Sequence, residues 1–499
     1  MSHRVALFKA STRAQRSCRP KWNPRRCLMT LAIETSCDDT SVAILERKHD
    51  NRSSSATLHF HKKVTSNNAE FQGVHPLVSL RSHQENLASL LSDAISHLPP
   101  KKGDHGGNSR DDAGHGNKED DRTAITTKTL PDFISVTRGP GMRSNLFTGL
   151  DTAKGLAVAW QIPLVGVHHM QAHALTPRLV SALKQPSEAV PEPAFPFLSV
   201  LASGGHTLVI HSASLTEHRL LGTTNDIAVG ECLDKVARIL LPPELLQSTR
   251  STMYGALLER FAFKQDVHPV DAQGSKGSCS SRPQVPANVT GYSAKQYLET
   301  YSRAYHWYNL PSNHEEALMH NVTKWGWSLN QPLITATKAK SVELSFAGLL
   351  TAVERVIRYE TDASTKKQTK TERALDHISL EEKQAIARET MRAAFEHVAY
   401  RTVLALRSIP KGSTPGSVVL AGGVAANSFM RHILASTLCA HGFSGLILHF
   451  PPPDFCTDNA AMIAWTGLEM FEAGHANSLS IRAIRKWPLD QLLEPVEDG

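Results

Sequence analysis

The sequence predicts a duplicated α/β fold. Three features lead there. The order hairpin-then-βαβ occurs twice, and each copy carries a polar or glycine-bearing turn between strands. The apolar runs are short and continuous, as expected of parallel strands covered by helices.

The first copy opens with Leu31–Ile33, a polar turn, and Ser41–Leu45, which read as a hairpin; a third strand falls around Ala56–Val64. From Pro76 to Leu98, Leu77, Leu80, Leu87, Leu90, Leu91 and Ile95 recur at helical spacing. Residues 100–130 are charged, Gly/Asp/His-rich and almost without apolar residues, so they read as a disordered insertion. Order returns at Phe133–Val136, followed by a helix over Ser144–Trp160, a strand at Pro163–Val167, and helix from Val167 to Leu183.

The second copy begins with a hairpin, Phe197–Ala202 and Thr207–His211, around Gly204-Gly205. Ala228–Leu240 is an amphipathic helix. Residues 264–295 are Ser/Gly/Pro-rich and read as a second insertion, and 296–340 hold aromatics in a family-specific elaboration. Helices follow at Phe346–Arg358 and Leu380–Ile409. Val418–Leu420 is a buried strand running into Gly422-Gly423, and Asn459–Ala473 is the last helix.

The formal charge is +7, but residues 1–28 alone carry Arg4, Lys9, Arg13, Arg16, Arg19, Lys21, Arg25 and Arg26, and no acid precedes Glu34. The remaining chain is near neutral, which excludes a globally basic RNA-binding surface. An Arg-rich, acid-free leader predicts a mitochondrial transit peptide over 1–28. No run approaches the roughly 18 apolar residues of a membrane helix. Seven cysteines, an odd number without a Cys-x-x-Cys pair, argue against a disulfide framework or a thiolate zinc site.

Four constellations carry candidate chemistry. His169 and His173 are spaced i, i+4, so on a helix both imidazoles share a face and can hold one metal. The pattern alone is permissive, and the adjacent glutamate of a zinc peptidase is missing. Asp458, at a turn before the last helix, is the best third ligand. Ser203-Gly204-Gly205-His206 and Gly422-Gly423-Val424-Ala425-Ala426-Asn427 are turns whose backbone N–H groups can approach an anion. Asp38 and Asp39 sit in a polar turn between apolar strands and are either solvated or oriented toward a reacting group. Asp234 and Lys235 lie on an apolar helix as either an ion pair or a ligand contact.

Eight stretches in register give these pieces a common origin. They are IETSCDDTSVAI, SVTRGPGMRSNLFTGLDTAKGLA, GVHHMQAH, LASGGHTLVI, NDIAVGECLDKVARIL, SFAGLLTAV, VLAGGVAANSFMR and PPDFCTDNAAMIA. Together they resemble the tRNA N6-adenosine threonylcarbamoyltransferases, organellar type, from Leu31 to about Gly467. The resemblance implies a two-lobed fold like actin, sugar kinases and the Hsp70 ATPase domain, a duplicated ribonuclease-H-like architecture with ligand in the interlobe cleft. It implies a first lobe over 29–167, a second over 168–456 with an insertion at 264–340, and a C-terminal helix within 457–499 returning to the first lobe.

By the same resemblance, His169, His173 and Asp458 hold one divalent metal ion per subunit: zinc, iron or manganese. Leu201, Ala202, Ser203, Gly204 and Gly205 contact the activated substrate, as do Asp234, Gly255, Glu259, Ala426, Asn427 and Thr457. Asp38 and Asp39 match the acidic turn at the reacting centre. The implied reaction transfers threonylcarbamoyl from threonylcarbamoyl-AMP to N6 of the adenosine beside the anticodon of mitochondrial tRNAs, with a homodimer as the working form and no membrane partner. A metallopeptidase or an ATPase of the same fold are the competing readings. Two departures stand out. The family's Tyr-Pro-Gly-Gly-Pro is Thr252-Met253-Tyr254-Gly255-Ala256 here, and the glutamate of the bacterial Val-Pro-Glu is Leu77.

Overall fold

The computed structural model describes residues 27–494 except 51–52, 72, 102–126, 185–189, 248–252, 264–288, 312–315, 317–320, 335–336, 363 and 366. The leader before Cys27, most of the 100–130 tract, Thr252 and the first part of the 264–340 insertion lie outside the described residues.

Two sheets carry the same strand order. In the first, β1 (Leu28–Glu34), β2 (Asp39–Asp50) and β3 (Ser53–Thr65) form an antiparallel meander. Helix α1 (Pro76–Ser96) leads on to β4 (Phe133–Gly139), and helix α2 (Arg143–Trp160) to β5 (Leu164–His168). Strands β4 and β5 add in parallel beside β1, giving the order β3-β2-β1-β4-β5. Helix α3 (His169–Leu183) follows directly. It starts at His169 rather than at Val167, because Leu164 to His168 pair with β4.

The second sheet repeats the plan. Strands β6 (Phe197–Ala202), β7 (Thr207–Ser212) and β8 (His218–Thr223) form the meander. Helices α4 (Val229–Leu240) and α5 (Gly255–Ala262) come next. Strand β9 (Val289–Ser293) and helix α6 (Ala294–Tyr301) then precede helix α7 (Ala347–Arg358), the small hairpin β10 (Tyr359–Asp362) and β11 (Lys367–Glu372), and the long helix α8 (Leu380–Ser408). Strand β12 (Ser417–Ala421), helix α9 (Ser428–Ala440), strand β13 (Ile447–Phe450) and helix α10 (Ala460–Glu472) complete it. The order is β8-β7-β6-β12-β13-β9, with β6, β12 and β13 parallel.

The final strand corrects the sequence reading. Residues 289–301 do not belong to an insertion apart from the fold: β9 pairs antiparallel with β13 and closes the sheet edge, and Ala294 and Tyr297 of α6 are buried in the second core. Polar Thr290 and Ser293 and a left-handed Gly291 hide any alternation, so only the partner strand reveals this one.

Period-2 alternation distributes each central strand between two cores. Met29, Leu31 and Ile33 face the α1–α2 core, while Leu28 and Ala32 face inward. In the second sheet, Leu198, Val200, Val418 and Leu420 face the outer core, while Phe197, Leu201, Val419 and Ala421 face inward. The inward residues of both sheets meet in one layer built on α3 and α10, with Leu175, Leu179, Ile463 and Trp465 at its centre. Helix α10 packs on β1, β2 and α3. No helix among the described residues is long and apolar enough to cross a membrane.

Candidate active site and metal centre

The duplication places two equivalent turns at the ends of equivalent strands. The β1–β2 turn holds Asp38 and Asp39; the β6–β7 turn holds Ser203, Gly204 and Gly205.

Helix α3 presents His169 and His173 one turn apart. Its N-cap is His168, whose Nδ1 accepts from the Met170 and Gln171 N–H groups and whose Nε2 donates to the Trp487 carbonyl at 2.9 Å. Asp458, between the single helical turn Pro453–Cys456 and α10, reaches both rings. Its Oδ1 lies 3.1 Å from His173 Nε2 and 3.4 Å from His169 Nε2. One ligand atom from each of the three residues falls within 4.8 Å of the others. Behind His169, Nδ1 donates to Glu34 Oε2 at 3.3 Å, and Ser36 Oγ stands 3.2 Å away. Glu34 is fully buried, takes the Ser36 N–H on its other oxygen and is also bonded by Thr137. Sequence reasoning passed over Glu34 as a site residue, although it lies inside the first motif.

The acidic turn faces the same centre. Burial, with the charges of Asp39 and Asp458, pushes the Asp38 carboxyl up to about 6. Asp39 is raised by burial too, but Lys63 opposes that rise. Lys63 Nζ stands 2.9 Å from Asp39 Oδ2 and 2.9 Å from Thr457 Oγ1, so one ammonium joins the acidic turn to the residue before Asp458. It comes from β3, too far along the chain for any local pattern to suggest it. His83 of α1 fixes the turn: its Nδ1 accepts from Thr40 Oγ1 at 2.7 Å, and its Nε2 donates to the Cys37 carbonyl.

The glycine turns differ in what they permit. A side chain at Gly204, Gly205 or Gly255 would meet nothing within 4 Å. Gly422 has φ +94°, and a Cβ there would collide with the Ala202 carbonyl oxygen, so the two glycine turns touch backbone to backbone. Gly230 is pressed on Ser203 in the same way. Thr457 Cγ2 would lie 3.8 Å from a Cβ on Gly423, which brings the second turn beside the acidic centre.

The remaining candidates lie along this rim. Asp234 does not pair with Lys235, which bonds Glu231 at 2.8 Å. Instead Asp234 Oδ1 accepts the N–H groups of Tyr254 and Gly255, at 2.7 and 3.0 Å, at the start of α5; burial still drives its carboxyl up to about 7. Glu259 accepts from the Ser428 N–H and hydroxyl. Asn427 spends its Oδ1 as the N-cap of α9, bonding Phe429 and Met430 N–H, and its amide NH₂ donates to Met391 Sδ at 3.6 Å. Ala426 is half-buried beside it, while Leu201 and Ala202 are buried in β6.

A sequence model of the tRNA N6-adenosine threonylcarbamoyltransferases matches residues 122–280 and 290–465. The mitochondrial tRNA N6-adenosine threonylcarbamoyltransferase of Schizosaccharomyces pombe is 35% identical over 476 residues, covering 94% of this chain and 88% of that one. This chain belongs to the tRNA N6-adenosine threonylcarbamoyltransferase family. The enzyme of that name from Novosphingobium aromaticivorans is 29% identical, with 94% and 97% covered. Among solved structures, HypF of T. kodakarensis aligns with 90% of this chain and 48% of its own at 12% identity, TM-score 0.39.

This threonylcarbamoyltransferase-family chain has the two-lobed, duplicated α/β fold of actin-like proteins and is of a transferase, metal-dependent family. The three candidate ligands suit a divalent ion. Neutral imidazoles and a carboxylate fit zinc, iron or manganese. Without a cation, burial lowers the His169 pKa, yet Asp458 and Glu34 on either side outweigh it and raise it to about 10; a bound divalent ion would take the place of that proton. Buried carboxylates converging on one point call for positive charge there, which a cation supplies. Glu34 bonded to the far nitrogen of His169 is the outer partner that metal-ligating histidines commonly have.

Proposed function

We propose that this protein transfers the threonylcarbamoyl group of threonylcarbamoyl-AMP to N6 of the adenosine next to the anticodon in mitochondrial tRNAs reading ANN codons, releasing AMP. The observation that carries this reading is the apposition of an acid-and-histidine centre with side-chain-free turns, open at Gly204, Gly205 and Gly255. The basic, acid-free leader and the mitochondrial name of the yeast relative support a mitochondrial location. A homodimer and the lobe boundaries at 29–167, 168–456 and 457–499 belong to the same proposal.

The acyl donor is a mixed anhydride, already activated, so no covalent enzyme intermediate is needed. Catalysis is then positioning and electrostatics. Backbone N–H groups around Ser203–Gly205 and Gly422–Gly423 cradle the adenylate. Asp234, Gly255, Glu259 and Asn427 line its rim, with Thr457 at the reacting end. His169, His173 and Asp458 would hold a divalent metal, which supplies Lewis-acid polarisation of substrate oxygens. The N6 amine forms the new C–N bond, and the C–O bond to phosphate breaks with its electron pair leaving on AMP. Asp38, raised toward neutrality by burial and its acidic neighbours, takes the N6 proton; Asp39, held by Lys63 and Thr65, stays fixed beside it.

A metallopeptidase reading lacks its glutamate base next to His169 or His173. An ATPase of this fold has no evident use for two histidines and a carboxylate on one point. Purified protein offered threonylcarbamoyl-AMP with tRNA, ATP alone, or peptide separates the three. Nucleoside analysis of mitochondrial tRNA from cells lacking the protein should show loss of N6-threonylcarbamoyladenosine, and an unchanged level would overturn the proposal.

A further inference from the structure

One aromatic surface on the second lobe takes no part in the chemistry above. Trp307, in the aromatic-rich stretch after α6, is 39% exposed. Four rings back it: Phe429 at 5.4 Å between centroids, Phe263 at 6.1 Å, Tyr308 at 6.3 Å and Tyr305 at 6.5 Å. These fix the indole without covering it. Arg388 of α8 lies over its ring at 5.7 Å, and the carboxylate beside that arginine, Glu389, is 3.8 Å away. The platform adjoins the cleft. Tyr305 Oη is 2.5 Å from Ser428 Oγ, which donates to Glu259 Oε1 at 2.9 Å.

A second unit of the same make lies further out. Lys324 Nζ sits 4.7 Å over the Trp325 ring, which stacks on Trp327 at 5.9 Å with an interplanar angle of 8°. Lys324 pairs with Glu381 of α8 at 2.6 Å. Residues 381 and 388 fall two turns apart on one face of that helix, about 10 Å along its axis.

We propose that this face of α8 is an RNA-contact surface: a nucleotide flanking the adenosine that enters the cleft stacks on Trp307, while Arg388 and, further out, Lys324 meet phosphates. The proposal rests on the tRNA reading above. An enzyme that acts on a base must take it out of the stack, which leaves its neighbours in need of a surface. The exposed Trp307 ring, backed by four others and flanked by a cation, supplies one without reading sequence, as a substrate set of several tRNAs demands. The chain beyond its leader is near neutral, so phosphate contacts have to come from local cations such as these.

The test uses the metal-loaded protein and an unmodified tRNA transcript, with affinity measured by fluorescence anisotropy across a salt series. Arg388→Glu and Trp307→Leu should each weaken tRNA binding roughly tenfold or more. Arg388→Glu should also lower the slope of log affinity on log salt by about one. Affinity for threonylcarbamoyl-AMP should not change, and Arg388→Lys and Trp307→Phe should restore most tRNA binding. Arg388 is partly exposed, so its variants keep the test valid if Trp307→Leu misfolds. Unchanged tRNA affinity in Arg388→Glu overturns the proposal. So does a shift in oligomeric state, by sedimentation, with tRNA affinity intact, since the face would then bind protein. Should wild type bind tRNA but transfer nothing to it, and the variants lose that binding, the RNA surface stands and the proposed reaction falls.

Discussion

Glu34 Oε2 stands 3.3 Å from His169 Nδ1, on the side of the ring away from Asp458. The contact fixes the tautomer that leaves Nε2 free to bind metal. Glu34→Gln keeps the volume but removes the charge. It should weaken metal binding by roughly 10–100-fold while leaving the fold intact. Metal titration followed by circular dichroism checks this; unaltered affinity would show that the pair is structural only.

His168 and His173 should separate cleanly. His173→Ala ought to remove most bound metal and most transfer, with little loss of melting temperature in so large a core. His168→Ala should do the reverse. It deletes the α3 N-cap and a buried bond to the Trp487 carbonyl, costing about 1 kcal/mol or more. Metal content and Tm measured on both variants decide it.

Asp38 gives a pH signature. Burial raises its folded pKa from 3.8 to about 6, so its ionised form is disfavoured by folding. That penalty is complete above about pH 6 and vanishes below about pH 4. Asp38→Asn should therefore raise the Tm of metal-free protein at pH 8 and leave it unchanged at pH 4, while abolishing transfer. In the wild type, transfer should decline as pH falls through 6 or somewhat lower, since a nearby cation moves the pKa down. Full activity in Asp38→Asn would remove it as the proton acceptor.

Two glycines in apposed turns predict opposite outcomes. At Gly422 the backbone is left-handed and a Cβ strikes β6, so Gly422→Ala should cost about 1–3 kcal/mol or more. Gly204→Ala has open space and should leave stability alone, but its methyl group enters the volume assigned to the adenylate. A raised KM for threonylcarbamoyl-AMP at unchanged Tm is the expected result.

The ends of the 102–126 tract are already joined. Lys101 N–H bonds the Thr127 carbonyl at 2.8 Å, and Thr129 N–H bonds that of Pro99 at 2.8 Å. Replacing 102–126 by a short turn should change stability by only about 1–2 kcal/mol, in the stabilising direction, through reduced loop entropy. A large fall in Tm would show that the tract packs on the fold.

The sequence alone determined what backbone geometry makes local. Short continuous apolar runs marked β1, β4, β6 and β12, helical spacing marked α1, and the i, i+4 histidines of α3 were readable because one turn of helix fixes their relation. The glycine turns were readable as turns for the same reason. What tertiary structure decided is which distant pieces meet. Asp458 reaches His173 across 285 residues, and Lys63 reaches Thr457 across 394, because α10 returns to pack on the first sheet. It decided that Asp234 caps α5 rather than pairing with Lys235, and that Asn427 spends its carbonyl on α9. It also made 289–293 a strand, since an edge with polar residues takes its conformation from the partner it bonds. Periodicity is a property of a segment, whereas a site is a property of the crossovers that bring segments together, and those are set by burying α3 and α10 between two sheets.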